Sequence, residues 1–449
     1  MNTVHGIIYL TDKNGKQDKT RQIKRIQFDE SKNIYLVTFE NSETVFDYLK
    51  NIASLSDMQN DFAEKILVKN YEKVRIVNQN SALAFYLNPV GKKIKWHGVA
   101  HPIFPFGCNN SQYKAVINAL ENSFSIIQGP PGTGKTQTIL NIIANLIILN
   151  KTVLIVSNNN SAIENVYEKL SSPKYNLGFI VAPLGKSEKI SEFLENQTGE
   201  YPSEMQSWKI YHNENQFFDN LSKSFETLKS LFEYQEQESV LKHELEELET
   251  EYKHFSISYS NENFIASRRL NFLSGDELMN LWQNIQFEID KTDTLGFFFR
   301  LKLLLKYRIR IHKDKDIEIN NLISTLKNLY YKNRIKELKN EISEKEELKK
   351  TFNANRLYSS SLDYLRYKIN KRFNKKEKRK IFIDKDLAKV ESNFYKEYPV
   401  VLSTTFSSRS CLPYFSQDFL FDYLIMDEAS QVDVSTGALA LSCAKNVVI

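Results

Sequence analysis

The sequence predicts an α/β fold, in which one parallel sheet is interrupted by a long helical insertion and preceded by a small β-rich module. Short, almost wholly apolar runs alternate with helix-length segments on both sides of the insertion, as in a parallel sheet covered on both faces. Between them, apolar residues recur at spacings of three and four, which predicts long helices. The first 95 or so residues instead alternate apolar and polar side chains, a pattern typical of half-buried strands.

These patterns divide the chain into four segments. Residues 1–95 form the β-rich accessory module, and residues 96–185 and 399–449 form the two parts of the sheet domain. Residues 186–398 form a helical, coiled-coil stalk, which is therefore an insertion into one domain. The predicted strands lie at residues 124–128, 153–157, 179–182, 400–404, 423–427 and 446–449. A helix is predicted after each of the first two strands, at residues 138–149 and 161–170.

The composition is that of a folded protein rather than a disordered one. The chain has 449 residues, of which 41% are hydrophobic and 26% are charged, which allows two or three domains with cores of their own. Its three cysteines, Cys108, Cys411 and Cys443, are too widely spaced for a disulfide framework or a zinc site. The sequence therefore predicts neither.

No segment of the sequence predicts membrane insertion. The amino terminus lacks the basic-then-apolar pattern of a signal peptide. The most apolar stretch, residues 295–305, is interrupted by Arg300 and Lys302 and is too short to cross a bilayer. We therefore expect a cytoplasmic protein without a membrane partner.

The stalk is predicted to contain two helical segments of opposite charge, which we expect to pair in antiparallel orientation. Residues 297–380 carry 25 lysines and arginines against 10 aspartates and glutamates, a net charge of +15, so the rest of the chain sums to −10. This basic block fits a site for a polyanion such as nucleic acid, and it fits equally well a solvated helix face or a partner for the acidic helix.

A phosphate-binding loop is the strongest motif in the chain. It follows a predicted strand and opens a predicted helix, the context in which backbone N–H groups and the helix amino terminus surround phosphates. Lys135 is expected to reach the β- and γ-phosphates of ATP, and Thr136 to bind Mg²⁺. The loop consists of Gly129, Pro130, Pro131, Gly132, Thr133, Gly134, Lys135 and Thr136.

A pair of carboxylates ends a second predicted strand. Asp427 is placed to hold Mg²⁺, and Glu428 to orient and polarise the water that attacks the γ-phosphate. An Asp-Glu pair after a strand is a weak signal by itself. Together with the phosphate loop it predicts an ATP-hydrolysing site with Lys135 and Glu428 as catalytic residues.

Five motifs in this order resemble the up-frameshift-type helicases of superfamily 1B, and most closely their bacterial relatives. The resemblance covers residues 105–185 and 399–449 and implies a RecA-like sheet domain. It also implies that Gln112 reads the adenine edge and that Gln431 is a catalytic residue that couples the nucleotide state to the nucleic acid. The five motifs are residues 109–112, 129–136, 157–163, 403–405 and 427–431.

The same resemblance implies contacts to single-stranded nucleic acid. These contacts map to Asn159 and Asn160, and to Ser403, Thr404 and Thr405. Each site has a simpler interpretation from the residues alone. The asparagines are also favoured at a helix-capping turn, the Ser-Thr-Thr run is typical of a strand end, and Gln112 could be a surface helix residue.

The resemblance implies a motor that couples hydrolysis of ATP, with Mg²⁺, to 5′–3′ translocation on single-stranded DNA or RNA. The family's next motif would follow the strand at residues 446–449, where the sequence ends. The chain is therefore interpreted as a fragment that lacks the second RecA-like domain and its γ-phosphate arginines. Such arginines contribute roughly 10³–10⁵ in rate in related enzymes, so we expect the fragment to bind ATP but hydrolyse it weakly.

Two alternative functions remain. One is a nucleotide-gated nucleic-acid binding or assembly module without helicase activity. The other is an SMC-like ATPase, in which a Leu-Ser-Gly-Gly-like loop precedes the acidic strand. Residues 273–276 are similar but lie too early in the chain, and Ser274 with Glu277 fits a helix capping box better.

Overall fold

The computed structural model forms two compact units, described here one at a time. The sheet unit comprises Met1–Phe225 and Asn355–Ile449, and the helical unit comprises Glu226–Ala354. The residues that the structure describes are 25–29, 34–38, 41–56, 66–74, 77–87, 101–185, 187–208, 214–258, 267–292, 295–312, 316–373, 378–383, 393–412 and 419–449.

The sheet unit contains a six-stranded sheet in which every neighbouring pair is parallel. The strand order is β3-β8-β7-β4-β6-β5, so the predicted α/β fold is confirmed. All five residues of β4 are buried, as expected for a strand covered on both faces. The strands are β1 (Arg25–Asp29), β2 (Ile34–Thr38), β3 (Phe124–Ser125), β4 (Val153–Ser157), β5 (Val181–Pro183), β6 (Val400–Thr404), β7 (Phe421–Met426) and β8 (Ala444–Val448).

The helices account for most of the remaining regular structure. They are α1 (Asn41–Ser56), α2 (Ile66–Glu72), α3 (Ala82–Leu87), α4 (Asn110–Glu121), α5 (Lys135–Ile148), α6 (Asn160–Ser171), α7 (Ser187–Glu195), α8 (Glu214–Ser258), α9 (Gly275–Thr292), α10 (Phe297–Lys302), α11 (Asp316–Lys350), α12 (Ala354–Phe373), α13 (Asn393–Glu397) and α14 (Val434–Leu441).

The amino-terminal region is more helical than its alternating sequence predicts. The alternating pattern is clearest in three runs, at residues 4–10, 23–28 and 34–39. Strands β1 and β2 form an antiparallel pair within the second and third runs, and the first run lies outside the described residues. The helices α1 to α3 were not predicted. In α1, Phe46, Leu49 and Ala53 are buried in the core of the sheet unit, and their spacing of three and four is the helical signal that the period-two interpretation overlooked.

Two strands are shorter than their apolar sequences. The segment predicted as a strand at residues 179–182 begins with a 3₁₀ turn at Gly178–Ile180 and is extended only from Val181. Strand β3 pairs with β8 over two residues, after which the chain keeps one backbone bond from Ile127 N to Ile449 O at 2.6 Å. The chain turns away there because the phosphate loop starts at the next residues.

The helical unit contains the predicted antiparallel pairing of an acidic and a basic helix. Two of its ion pairs show the direction, because the earlier residue of α8 contacts the later residue of α11. Lys349 contacts Glu238 at 3.3 Å, and Lys339 contacts Glu249 at 2.8 Å. Part of the basic block therefore neutralises the acidic helix, which is one of the two interpretations that the sequence left open.

A separate apolar core lies inside the helical unit. It joins α9 to α11 and to the segment that follows α10. The predicted capping box opens α9, since Ser274 N donates to Glu277 Oε2 at 3.0 Å and Glu277 N donates to Ser274 Oγ at 3.2 Å. Within the described ranges, no helix is both long enough and apolar enough to cross a bilayer.

Asp422 joins three strands of the sheet at their amino-terminal ends. Its Oδ2 accepts from Thr152 N at 3.0 Å and from the Thr152 hydroxyl at 3.2 Å, and its Oδ1 contacts Lys445 Nζ at 3.1 Å. Burial alone would raise the pKa of this carboxyl. The Thr152 amide and the charge of Lys445 outweigh burial, so the pKa lies below its ordinary value.

We expect Asp422→Asn to lower the free energy of unfolding by about 1–3 kcal/mol at neutral pH, because charged hydrogen bonds contribute about this much. A carboxyl whose folded pKa is depressed stabilises the protein above its unfolded pKa, near pH ~4. That stabilisation is lost as the pH falls through the folded pKa. Urea unfolding at neutral and acidic pH measures the difference, with Glu168→Gln on the exposed face of α6 as the control. An equal loss at both pH values would contradict the assignment.

Candidate active site

The phosphate loop connects β3 to α5, and α5 begins at Lys135. Two of its glycines adopt the left-handed backbone conformation, Gly132 with φ +84° and Gly134 with φ +82°. The first four N–H groups of a helix have no intrahelical acceptor. The loop therefore presents backbone donors and a helix amino terminus at one place, as an anion site requires.

Gln112 lies against this loop and is buried. Its Nε2 donates to Thr133 O at 3.1 Å and to Gly134 O at 3.2 Å. Its Oε1 accepts from Asn109 N at 2.9 Å, while the Asn109 side chain accepts from Gln112 N, so the two residues form the capping box of α4. Gln112 thus ties α4 to the phosphate loop, a role that the sequence did not predict.

Lys135 connects the loop to the carboxyl end of β7. Its Nζ donates to Gly129 O at 3.1 Å and lies 3.6 Å from Glu428 Oε1. Glu428 adopts the left-handed conformation with φ +53°, which costs a non-glycine residue about 1–2 kcal/mol. The two motifs are far apart in sequence, and the sheet brings them together.

Asp427 is the residue directly after β7. Its backbone N donates to Val156 O at 2.9 Å, and its Oδ1 accepts from Glu428 N at 3.0 Å. Burial raises the pKa of Asp427, and the neighbouring Glu428 raises it further, whereas Lys135 and the Glu428 amide lower it without reversing the shift. A nearby divalent cation would favour the charged carboxylate.

A cavity of about 640 Å³ lies beside the loop, between α4 and the segment after β3. Gln112, Gly129, Pro130, Thr133 and Lys135 line it together with residues of α4. Its position next to the phosphate loop and its size suit the base and sugar of a nucleotide. Thr136 and Gly134 are partly buried at the start of α5, whereas Pro131 and Gly132 are exposed.

A hydrogen bond links the two predicted functional segments that follow β4 and β7. Asn158 Nδ2 donates to Gln431 O at 3.0 Å, so Gln431 contacts this segment through its backbone. The Gln431 side chain is exposed.

The asparagines after β4 form a helix cap, which is the simpler of their two interpretations. Asn159 Oδ1 accepts from Ser161 N at 3.0 Å and from the Ser161 hydroxyl at 2.7 Å. Asn160 is the first residue of α6 and is exposed. Capping and contact with a ligand are compatible, because both side chains remain at the surface.

The three residues at the end of β6 differ in exposure. Ser403 and Thr405 are buried, and the Thr405 hydroxyl has no hydrogen-bond partner among the described residues. Thr404 is partly exposed, and its Oγ1 accepts from Ser407 N at 3.2 Å. Asn160, Ser403 and Thr404 together line a second cavity, of about 600 Å³.

A family model described as "AAA domain" matches residues 107–449, about three quarters of the chain. The chain belongs to the AAA domain family. Its relatives place this AAA domain among the up-frameshift-like superfamily 1 helicase domains, which confirms the resemblance seen in the sequence.

Short, strongly similar segments relate this AAA domain to several helicases. It is 45% identical over 65 residues to the DNA polymerase alpha-associated DNA helicase A of Schizosaccharomyces pombe, covering 14% of this chain and 10% of that protein. It is 50% identical over 64 residues to an uncharacterized ATP-dependent helicase of Mycoplasma genitalium, covering 14% and 6%. It is 46% identical over 63 residues to the Drosophila melanogaster homolog of the regulator of nonsense transcripts 1, covering 14% and 5%.

Sequence reasoning missed two residues that hold the AAA domain's site in place. Gln137 accepts from Gln112 at 3.3 Å and donates to Phe106 O at 2.6 Å. Asn70, on the unpredicted helix α2, donates to Phe406 O at 2.9 Å and so holds the turn after β6. The position of Gln137 one turn into the helix after the loop is a weak signal, and nothing in the sequence marks Asn70.

We expect Gly134→Ala to destabilise the AAA domain more than Gly132→Ala does. Both substitutions carry backbone strain of about 1–2 kcal/mol. A Cβ at Gly132 meets nothing within 4 Å, whereas one at Gly134 would lie 2.2 Å from Gln112 Nε2. Displacing that amide from its carbonyl acceptors should lower the free energy of unfolding of Gly134→Ala by about 1 kcal/mol more. Urea unfolding of both variants measures the difference.

The control is the same pair of substitutions in a Gln112→Ala background, where Gly134→Ala and Gly132→Ala should cost the same. Equal costs in the presence of Gln112 would show that this glutamine does not restrain the loop.

Proposed function

We propose that this AAA domain binds ATP with Mg²⁺ and couples its hydrolysis to 5′–3′ movement along single-stranded nucleic acid, as the motor of a DNA or RNA helicase. The observation that carries the proposal is the 3.6 Å contact between Lys135 Nζ of the phosphate loop and Glu428 Oε1. It brings a phosphate-binding cation next to the pair of carboxylates that an ATPase needs.

The phosphate loop is proposed to hold the triphosphate. Backbone N–H groups of residues 129–136 would surround the phosphates, and Lys135 would exchange its contacts with Gly129 O and Glu428 for the β- and γ-phosphates. Gln112 lines the adjoining cavity, which supports the adenine contact that the resemblance implies. Reading adenine would require its amide to give up bonds that it makes to the loop and to Asn109.

The donor set fits Mg²⁺ bound together with a nucleotide. Mg²⁺ usually takes one or two carboxylates and completes its shell with phosphate oxygens and water. Asp427 would supply the carboxylate and Thr136 a hydroxyl oxygen.

Glu428 is proposed to orient the attacking water and to accept its proton. Its left-handed backbone turns the chain sharply after β7, and its carboxylate faces the loop cation rather than the sheet. General-base residues contribute about 10²–10⁴ in rate.

Single-stranded nucleic acid is proposed to cross the carboxyl ends of β4 and β6. Asn160 and Thr404 would contact it by side chain, and Asn159 with Ser403 and Thr405 would position those contacts or bind through backbone groups. The hydrogen bond from Asn158 to Gln431 O supports a coupling role for Gln431, since it joins this surface to the turn that carries Glu428.

A second RecA-like domain is proposed as the partner that full activity requires. Among the described residues that line the nucleotide cavity, the cations are Lys114 and Lys135, and there is no arginine. A further arginine at the γ-phosphate, supplied in the same or another chain, should raise turnover by about 10³-fold or more.

We expect Lys135→Ala to weaken ATP binding at least tenfold, because a charge-assisted bond to phosphate contributes about 1.5–3 kcal/mol. Glu428→Gln should keep ATP affinity and lower turnover by about 10²–10⁴. Binding of a fluorescent ATP analogue and release of phosphate measure the two effects separately.

Lys169→Ala is the matched control, since it removes an exposed lysine of α6 that does not line the nucleotide cavity, and it should leave ATP affinity unchanged. Unchanged ATP affinity in Lys135→Ala would refute the nucleotide site. Unchanged turnover in Glu428→Gln would refute the proposed role of that carboxylate.

A nucleic-acid binding or assembly module without helicase activity is the alternative function, and the insertion of a whole helical unit into the sheet unit favours it. The two functions differ in turnover. A motor hydrolyses ATP faster when single-stranded DNA or RNA is added, whereas an assembly module binds without this stimulation.

We expect Asn160→Asp and Thr404→Glu each to weaken binding of single-stranded DNA or RNA about fivefold or more, because each loses a hydrogen bond and adds a charge like that of phosphate. ATP affinity should not change. Fluorescence anisotropy at several salt concentrations measures the effect, with Asn51→Asp on the exposed face of α1 as the control. Equal binding by all variants would place the nucleic acid elsewhere.

A further inference from the structure

An exposed apolar face lies on α10 and the turn that continues it. The chain remains helical through Leu303–Tyr307, as one π-helical turn. Phe297, Phe298, Leu301, Leu304 and Leu305 are between 37% and 83% exposed. Spacings of three and four place Phe297, Leu301, Leu304 and Leu305 along one side of the helix. We name these five side chains the apolar face.

The apolar face is presented by a packed element. The opposite side of the same segment is buried in the core of the helical unit through Leu303, and the flanking residues Leu295, Ile309 and Ile311 are buried there as well. Phe299 also packs against this core. The five exposed side chains are therefore the outer side of an anchored segment.

Cations flank the residues of the apolar face along the chain. Residues 295–312 contain no aspartate or glutamate. Arg300 and Lys302 lie between the apolar positions, and Lys306, Arg308 and Arg310 follow them. Lys302, Lys306, Arg308 and Arg310 are exposed. This combination of phenylalanine and leucine on one side with lysine and arginine beside it is typical of helices that lie in the interface of an anionic membrane.

We propose that the apolar face docks the helical unit onto an anionic lipid bilayer, with the five side chains entering the interface and the cations contacting lipid headgroups. A second copy of the chain fits less well, because it would place two sets of five cations against each other. Single-stranded nucleic acid also fits less well, because bases stack on aromatic rings and three of the five side chains are leucines. The sequence was expected to have no membrane partner because it lacks a predicted spanning segment, but a helix that lies in the membrane interface needs no such segment.

The experiment is flotation of the whole 449-residue protein with vesicles of phosphatidylcholine, alone or mixed with phosphatidylserine. The protein should float with the mixed vesicles only, and added salt should release it. Phe298→Ser with Leu305→Ser should weaken binding roughly tenfold or more, as expected for two large apolar side chains. Lys302→Gln and Lys306→Gln should each weaken it about fivefold.

The matched control is Val240→Ser with Ile257→Ser, since both side chains are apolar, are more than half exposed and lie on α8, away from the cation cluster in sequence. This variant should float like the parent, and all variants should keep their circular dichroism spectrum and their affinity for the ATP analogue. Absence of flotation for the parent, or an equal loss in the control, would overturn the proposal. If the parent protein does not float and Phe298→Ser with Leu305→Ser binds single-stranded DNA more weakly than the parent does, the apolar face binds nucleic acid instead.

Discussion

Parallel pairing of the six strands places the carboxyl ends of β3, β4, β6 and β7 along one edge of the sheet. Backbone hydrogen bonds set the register, in which Val156 lies opposite both Ser403 and Met426. The residues that follow these strands therefore come together at this edge, although the helical insertion separates β3 and β4 from β6 and β7 in the sequence. Most of the candidate site depends on this register, because each of its loops starts where a strand stops.

The ion pair between Lys135 and Glu428 connects the two halves of the proposed nucleotide site. One partner lies at the start of α5, and the other lies in a turn with a left-handed residue after β7. Gln112 adds a third connection, from α4 to the carbonyl groups of the loop. Under the proposed function, a polyanion entering the site would compete for the lysine and leave the carboxylate available to a water molecule. Binding and chemistry would then share one set of contacts.

The helical unit is inserted into the sheet unit without forming part of the sheet. Strands β5 and β6 are neighbours in the sheet, although most of the insertion separates them in sequence. The compact helical unit, Glu226–Ala354, is shorter than the stalk predicted at residues 186–398. The remaining residues of that predicted stalk belong to the sheet unit. For example, the Tyr358 hydroxyl donates to Cys108 O at 2.8 Å.

The sequence by itself determined the α/β class, the phosphate loop, the carboxylate pair and the opposite charges of the two long helices. These follow from local spacing and residue type, which act over one turn or one strand. Only the tertiary structure decided that Gln112 restrains the loop, that Ser403 and Thr405 are buried, and that the apolar residues after Gly296 face outward. Those properties depend on which surfaces meet after folding, and a periodic pattern does not specify which side of a helix will find a partner.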